Sequence, residues 1–155
     1  MNTHRSASLR ATCALLSCLA LASLAFGPCG PLPGGRLAES TSSAPVQDWS
    51  FANDVKYCAV EVQPEAPRSV TVNCMSTEGR LYVSCSECAG KTWSALAVEN
   101  PAGRVRIGEQ VLPVSLRRVQ DPAELDAVWL ARAAKTGDEP SPRPDEWWTF
   151  ELRSR

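Results

Sequence analysis

Short runs in which apolar and polar residues alternate occupy the middle of this chain, and they constrain its fold more than any other feature. Residues 55–62 (VKYCAVEV), 69–76 (SVTVNCMS) and 80–85 (RLYVSC) each show the two-residue period of a β-strand with one buried face. The connections between them, QPEAP and TEG, are short and rich in turn-forming residues. Because short turns join neighbouring antiparallel strands, the three runs predict an antiparallel meander.

The second half of the domain adds three strands and two helices. The runs RVRIG, EQVLPVSLRRVQ and WWTFELR predict strands. A short helix is predicted over residues 91–99, because the sequence PAG that follows would end a helix. A longer helix should begin after Asp121, which stands in a capping-box pattern with Glu124, and should end at Gly137. Six strands and two helices predict an α+β domain built as a small antiparallel β-barrel.

The first 29 residues have the composition of an export or anchor segment. Arg5 and Arg10 are followed by an apolar stretch, and this part of the chain holds no acidic residue. The pattern fits a cleaved signal, an uncleaved membrane anchor or a lipoprotein signal, with Cys18 and Cys29 as the two candidate lipidation sites. Basic residues before the apolar stretch predict a domain outside the cytoplasm, in the cell envelope.

The composition changes along the chain and marks the domain boundaries. Residues 1–29 form the signal or membrane-anchor segment, residues 30–45 a Pro/Gly/Ser-rich arm, and residues 46–155 the barrel domain. The whole chain has a formal net charge of -1 at pH 7, and no basic patch is visible. Nucleic-acid binding requires clustered lysine and arginine, so this charge argues against a nucleic-acid partner.

Several catalytic designs are excluded by residues that the domain lacks. The only histidine of the chain is His4, in the predicted anchor segment. The domain therefore has no Ser–His or Cys–His dyad and no histidine metal ligand. The sequence CAGKT ends like a phosphate-binding P-loop, but that motif requires glycine where Cys85 stands. This excludes a nucleotide hydrolase of the P-loop type.

Four cysteines lie in the domain, and three explanations for them remain open. Cys58, Cys74 and Cys85 fall on the apolar faces of predicted strands, which favours buried thiols with no catalytic role. Export would instead allow at least one disulfide. A metal site is least favoured, because Cys85 and Cys88 form a single Cys-x-x-Cys pair, and we predict no metal. Of the four, we expect Cys85 to react slowly and Cys88, beyond the strand end, to be the most accessible.

The start of the first predicted helix is the best candidate for a binding site. Lys91, Thr92 and Trp93 stand where a strand gives way to this helix. Free backbone N–H groups at a helix start attract anions, Lys91 adds a positive charge, and Thr92 adds a hydroxyl group. The three residues are compatible with a phosphate-binding site. The alternative is a lysine that is only solvated.

A series of short motifs extends from this helix start to the end of the chain. It comprises a Lys and a Trp at the helix start, an Asn-Pro turn, a strand with V-x-I-G, and a strand that ends in V-x-D-P-x-E. The residues concerned are Lys91, Trp93, Asn100, Pro101, Val105, Ile107, Gly108, Val119, Asp121, Pro122 and Glu124. With this series, residues 45–155 resemble the flavin- and deazaflavin-binding split-barrel proteins, the superfamily of pyridoxamine phosphate oxidase and the deazaflavin-dependent nitroreductases. The closing WWTFEL resembles their aromatic last strand, and the LPGGRL arm resembles that of membrane-tethered relatives.

This resemblance implies a fold, a cofactor and a set of binding residues. The implied fold is a six-stranded antiparallel split β-barrel with two short helices, preceded by the apolar N-terminal segment. The implied cofactor is FMN or a deazaflavin, with its phosphate on basic and hydroxyl groups at the helix start and its ring against the preceding strands. The implied binding residues are Lys91, Thr92, Trp93 (bracing or stacking), Thr71, Asn73 and Ser84.

The resemblance also implies an activity and an assembly. The activity would be a nitroreductase-like oxidoreduction in which the cofactor supplies the hydride chemistry, and no catalytic residue is assigned. The implied assembly is a homodimer. Two alternatives remain: a non-catalytic, envelope-tethered split-barrel protein that binds a small ligand or a partner, and a structural lipoprotein whose barrel only dimerises.

Overall fold

The computed structural model of the protein describes residues 34–155, so the predicted anchor segment with Cys18 and Cys29 lies outside the described residues. Seven strands and two α-helices are present. The α+β class is as predicted, but the number of strands is not. Their bounds are β1 Cys58–Val62, β2 Arg68–Val72, β3 Cys74–Thr77, β4 Arg80–Cys85, α1 Thr92–Glu99, β5 Ala102–Ile107, β6 Gln110–Arg118, α2 Pro122–Thr136 and β7 Trp148–Ser154. Short 3-10 helices cover Ser50–Asp54 and Cys88–Gly90.

The seven strands form one antiparallel sheet whose two edges meet. The strand order is β2-β1-β5-β6-β7-β4-β3. The edge strands β2 and β3 are consecutive in the chain, and Asn73 alone separates them. One residue advances the chain by about 3.8 Å, so opposite edges joined in this way force the sheet to roll up. We call the line where the edges meet the seam.

The prediction of a single strand over residues 69–76 is wrong, and the sheet has seven strands where six were expected. Before Asn73, Val72 pairs with Cys58 of β1, and after it, Cys74 pairs with Val83 of β4. Val72 and Cys74 are both buried, so the apolar alternation continues across the break. A period of two therefore gives no sign that the strand ends there.

Most buried apolar side chains belong to one core inside the rolled sheet. Its fully buried members include Val60, Val62, Leu81, Val83, Val105, Val114 and Phe150. From α1, Trp93 and Ala97 join this core. A second, smaller cluster of Met75, Tyr82, Val119 and Val128 lies where α2 packs against the sheet. Consequently β4 is buried on both faces, which fixes the position of its end at Cys85.

Both predicted helices are confirmed, and the local signals at their ends act as expected. Asp121 is the N-cap of α2 and accepts a hydrogen bond of 2.8 Å from the backbone N–H of Glu124. Gly137 ends α2 with φ of 75°, in the left-handed region that favours glycine. The Glu124 carboxylate departs from a capping box, because it bonds to Arg117 rather than back to Asp121. Neither these helices nor any other helix within residues 34–155 is long and apolar enough to cross a membrane.

The described part of the Pro/Gly/Ser-rich arm lies against the sheet. Gly34 pairs with Ser69 of β2 through two backbone hydrogen bonds of 2.9 and 2.8 Å. Further along, the backbone N–H of Thr41 donates to the carbonyl oxygen of Val111 at 2.8 Å. Through these contacts the arm extends along an edge strand and then along β6.

Candidate functional site

A cleft of about 480 Å³ lies at the seam, where the end of β2 approaches the end of β4. We call it the seam cleft. Its lining residues are Tyr57, Thr71, Val72, Asn73, Ser84, Cys85, Ser86, Lys91 and Trp147. Ligand-binding pockets span roughly 300–1,000 Å³, so the cleft has room for a small organic ligand.

Four of the six predicted binding residues line the seam cleft: Thr71, Asn73, Ser84 and Lys91. They come from the end of β2, the seam itself, β4 and the start of α1. Trp93 and Thr92 do not line it. Trp93 is only 8% exposed, and its ring centroid lies 5.4 Å from that of Phe150 in the core. Trp93 thus anchors α1 to the core, whereas stacking on a ligand would need an exposed ring.

The start of α1 presents an uncommitted cation. Lys91 is the N-cap residue of α1 and is exposed. Within residues 34–155 its ammonium group has no ion-pair or hydrogen-bond partner, and no side chain caps the helix. The turn itself is held from beneath, because the hydroxyl of buried Ser94 bonds to the carbonyl oxygens of Lys91, at 2.8 Å, and of Cys88. A fixed helix start with a free cation is a chemically suitable place for an anion.

Ser84 contributes a buried polar group to the cleft lining. It is 5% exposed, and its hydroxyl has no hydrogen-bond partner among the described residues. Alternation along β4 explains the position: Val83 and Cys85 face the core, while Ser84 faces the other side of the sheet. Because most buried polar atoms in folded proteins are hydrogen-bonded, this orphaned hydroxyl is compatible with a ligand partner.

Aromatic residues that sequence reasoning did not assign to the site complete the cleft. Tyr57 is 49% exposed, and the Lys56 ammonium group lies 5.1 Å from its ring centroid. Trp147 packs edge-on against Trp129 of α2 at 5.0 Å, and the Arg132 guanidinium lies 5.1 Å from the Trp147 ring. The motif WWTFEL indicates an aromatic last strand but not that its first tryptophan reaches the seam.

Solved structures with a similar fold are known. A candidate pyridoxamine 5′-phosphate oxidase from Listeria innocua matches with a TM-score of 0.55 over 67% of this chain and 87% of its own, at 10% identity. A candidate 5-nitroimidazole antibiotic resistance protein from Bacteroides thetaiotaomicron matches with 0.55 over 72% and 82%, at 11% identity. An FAD-binding protein from Mesorhizobium loti matches with 0.52 over 68% and 85%, at 13% identity. The chain has the split-barrel fold.

The similarity lies in the fold and not in the sequence. No protein-family model matches this chain, and no curated protein does so. The predicted resemblance to the flavin-binding split-barrel proteins is thus confirmed at the level of the fold. The membrane tether that the resemblance implies concerns residues outside the described part of this split barrel.

The cysteines of the split barrel are joined in two disulfides, so the favoured interpretation as buried thiols is wrong. Cys58 pairs with Cys74, and Cys85 pairs with Cys88, with Cα–Cα distances of 5.8 and 5.6 Å. The expected order of accessibility is also wrong, because Cys88 is 0% exposed and Cys85 is 7% exposed. Cys88 is buried because the chain turns inward after β4 before it enters α1. Among residues 34–155 no three His, Cys, Asp or Glu side chains are grouped to hold a metal ion.

A buried ion pair, missed by sequence reasoning, attaches the arm to the split barrel. The Glu61 carboxylate accepts bonds from Arg104 at 2.9 Å (Nε) and 2.7 Å (Nη2), and it accepts another from the backbone N–H of Leu37. Arg104 also donates to the carbonyl oxygens of Leu37, at 3.0 Å, and Ala38, at 2.7 Å. We call Glu61 and Arg104 the strap pair. Burial alone would raise the pKa of Glu61, but the Arg104 and Leu37 bonds outweigh it and hold the pKa below its usual value.

A second charged cluster fixes the start of α2 to the sheet. The Glu124 carboxylate accepts bonds from Arg117 (2.8 and 3.0 Å), from the Tyr82 hydroxyl (2.9 Å) and from Arg80 (3.1 Å). Arg117 also bonds to buried Glu151 at 2.7 Å. Burial opposes ionisation of Glu124, but the Arg117 and Tyr82 bonds prevail and lower its pKa. Burial and the neighbouring Glu124 raise the pKa of Tyr82, which stays neutral and donates a hydrogen bond to the carboxylate.

A smaller cavity of about 270 Å³ lies near the other side of Asn73, beside the last turns of α2. Its charged lining residues include Asp54, Arg132 and Lys135. The Lys135 ammonium group donates to the carbonyl oxygens of Ala52, at 2.8 Å, and of Cys74. Burial lowers the pKa of Lys135. The ammonium group of the smaller cavity is therefore already bound to backbone groups, in contrast to Lys91 in the seam cleft.

Proposed function

We propose that the protein binds a flavin or a deazaflavin in the seam cleft and acts as a nitroreductase-like oxidoreductase. One observation carries the proposal. The rolled sheet brings Thr71, Asn73, Ser84 and Lys91 together around a single cleft, although they come from separate elements. The shared fold with an FAD-binding protein and with candidate oxidase and nitroimidazole-resistance proteins supports it.

The lining residues fit such a cofactor in their chemistry. Lys91 and the start of α1 would hold the phosphate, through a charge-assisted bond and backbone N–H groups. Asn73 and Thr71 would bond to polar edges of the ring system, and Ser84 holds a buried hydroxyl that lacks a described partner. Exposed Tyr57 offers an aromatic face. When bound, the cofactor supplies hydride chemistry, and the split barrel supplies binding and orientation.

The proposed location is the cell envelope, with residues 1–29 as the membrane anchor or lipoprotein signal. The two disulfides support a domain outside the cytoplasm, since disulfides persist in oxidising compartments. A homodimer is part of the proposal, with the exposed Tyr57 side of the cleft as the face that a second copy would cover.

The alternative is a non-catalytic, envelope-tethered split barrel that binds a small ligand or a partner. One observation favours this alternative. Among the lining residues of the seam cleft, Lys91 is the only one with a full charge, which is a weak anchor for a phosphate group.

Titration with FMN and with a deazaflavin, followed by fluorescence, tests the proposal. Lys91→Ala removes a charge-assisted hydrogen bond and should weaken binding by about 10- to 150-fold. Arg68→Ala is the matched control, because it removes an exposed cation from the far end of β2, outside the cleft. Cys85→Ser and Cys88→Ser should change affinity far less than Lys91→Ala.

The outcomes separate the two functions. If the wild type binds either cofactor, addition of a nitroaromatic compound should reoxidise the reduced, bound cofactor. The absorbance spectrum of the oxidised cofactor should then return, as expected of a nitroreductase. If the wild type binds neither, the flavin proposal fails and the non-catalytic alternative remains. If Arg68→Ala weakens binding as much as Lys91→Ala does, the ligand responds to overall charge and does not sit at the start of α1.

A further inference from the structure

The two disulfides of the split barrel lie in different surroundings. Cys58 and Cys74 lie in β1 and β3 and are 2% and 0% exposed. Cys85 is the last residue of β4 and lines the seam cleft, whereas Cys88 begins the turn that leads to α1 and is 0% exposed. Cys58 and Cys74 also line cavities, but they are less exposed than Cys85, which is 7% exposed. Cys85 is therefore the most exposed of the four cysteines, and it lines the same cleft as the uncommitted Lys91.

The two disulfides also differ in what they hold together. Cys58–Cys74 connects the β1–β2 hairpin to the β3–β4 hairpin across the seam, so its opening would release both edges of the sheet. Cys85–Cys88 joins residues three positions apart, with a turn between them. Its opening would release only this turn, because β4 remains paired with β7 and α1 remains anchored by Trp93. The molecule can thus lose the second disulfide and keep its fold.

From these observations we propose that Cys85–Cys88 is a redox-active disulfide, reduced by a dithiol that enters the seam cleft, and that Cys58–Cys74 is structural. The proposal goes beyond the cofactor proposal and does not depend on a flavin. It revises the expectation that the Cys-x-x-Cys pair has no chemical role, which rested on the wrong interpretation of these cysteines as buried thiols.

The reaction is a two-electron exchange in which atoms and charge balance. A thiolate of the dithiol attacks the Cys85 sulfur, the Cys85–Cys88 bond breaks, and Cys88 leaves with the electron pair and takes up a proton. The second thiol of the reagent then attacks the mixed disulfide and releases Cys85 as a thiolate. The dithiol is oxidised to a disulfide and loses the proton of its second thiol, so the protein gains two electrons and one proton, with Cys85 as the thiolate.

One contact and one charge in the same cleft favour the reaction. The Cys88 sulfur lies 3.2 Å from the Cys85 carbonyl oxygen, so the buried Cys88 thiol has an acceptor in place. Lys91 lines the same cleft as Cys85 and has no described ion-pair partner, so it stabilises both the attacking thiolate and the released Cys85 thiolate. Lys91 is a positioning and electrostatic residue in this step, and Cys85 is the residue that reacts.

The first experiment measures reduction of the native wild-type protein by dithiothreitol, with quenching by iodoacetamide and quantification of each disulfide by peptide mass spectrometry. Cys85–Cys88 should be reduced at least about 100-fold faster than Cys58–Cys74, because the attacking thiolate reaches it without unfolding. Circular dichroism recorded in parallel should show that the fold persists while Cys85–Cys88 opens. Equal rates for the two disulfides, or reduction of Cys85–Cys88 only as the fold is lost, would overturn the proposal.

The second experiment assigns the roles of the two cysteines and of Lys91. In Cys88→Ser, the freed Cys85 thiol should react with 5,5′-dithiobis(2-nitrobenzoate) at least about tenfold faster than the freed Cys88 thiol in Cys85→Ser. In Lys91→Met, which keeps both cysteines, dithiothreitol should reduce Cys85–Cys88 about tenfold more slowly than in the wild type. In Arg68→Met, the rate of this reduction should be unchanged. Faster reaction of Cys88, or equal effects of the two methionine variants, would contradict the assignment. If a serine variant fails to fold, the rates at which the two disulfides of the wild type are reduced still test the proposal.

Discussion

Polar groups in the strap pair and in the seam cleft of this molecule are used in opposite ways. Both carboxylate oxygens of Glu61 and all three guanidinium nitrogens of Arg104 have partners. In the seam cleft, neither the ammonium group of Lys91 nor the hydroxyl of Ser84 has a partner within residues 34–155. Pairing of buried polar groups is the rule in folded proteins, so the strap pair has the character of a structural element. The cleft, with spare donors, has the character of a binding site.

The largest expected effect comes from breaking the strap pair. Arg104→Met leaves the Glu61 carboxylate, whose side chain is 2% exposed, without its counter-ion. Loss of one partner of a buried pair costs about 3–5 kcal/mol, so the free energy of unfolding in urea should fall by that amount. Arg106→Met is the matched control, because Arg106 lies on the same face of β5 but is exposed and makes no described ion pair. A loss below about 1 kcal/mol in Arg104→Met would show that the arm adds little to the fold.

The two disulfides should differ in how much they stabilise the fold. Replacing Cys58 and Cys74 together by alanine removes a link across 16 positions and should cost about 3 kcal/mol in the chain-entropy model. Replacing Cys85 and Cys88 together opens a link across only three positions and should cost about 2 kcal/mol. Thermal unfolding of the two double variants measures the difference. A larger loss in the Cys85/Cys88 variant would mean that the cleft disulfide is the structural one.

Acid should weaken the two regions of the fold that carboxylate ion pairs hold together. In the folded state, ion pairing holds the pKa values of Glu61 and Glu124 below 4.5, their ordinary value. A carboxyl group with a depressed folded pKa contributes stability above its unfolded pKa and loses it as pH falls through the folded pKa. The free energy of unfolding should therefore fall as the pH drops below about 4.5. The drop should be smaller in Arg104→Met, which has already lost one of the pairs; an identical acid profile would contradict the role of Glu61.

Local signals were enough to predict the helices and most strands of this split barrel. Asp121 and Gly137 mark the ends of α2 by chemistry that acts within one turn of the chain. The break at Asn73 could not be predicted in the same way, because it depends on which edges of the sheet meet and not on the residues beside it. Likewise, alternation puts Glu61 on the outer face of β1, and only the docked arm explains why it is buried.

The sequence predicted some residues of the candidate site and missed others. A resemblance in short motifs singled out Lys91, Thr71, Asn73 and Ser84, and all four line one cleft. Trp147 and Tyr57 were missed because they come from loops, whose course no sequence period describes. Cysteine pairing was missed because alternation reports only that a residue faces inward, and a buried thiol and a buried disulfide satisfy that pattern equally.

The smallest expected effect concerns two buried serines that differ in their partners. Ser94→Ala removes a hydroxyl that bonds to the carbonyl oxygens of Lys91 and Cys88, and it should lower the free energy of unfolding by about 1 kcal/mol. Ser84→Ala removes a hydroxyl with no partner among the described residues, and it should change stability by less than about 0.5 kcal/mol. Urea unfolding of both variants measures the difference. If Ser84→Ala is as destabilising as Ser94→Ala, the Ser84 hydroxyl is already engaged in the ligand-free protein and is not available to a ligand. If Ser84→Ala leaves stability unchanged but weakens flavin binding, the Ser84 hydroxyl belongs to the binding site. The two serines would then show the same contrast as the strap pair and the seam cleft: the paired group stabilises the fold and the unpaired group binds the ligand.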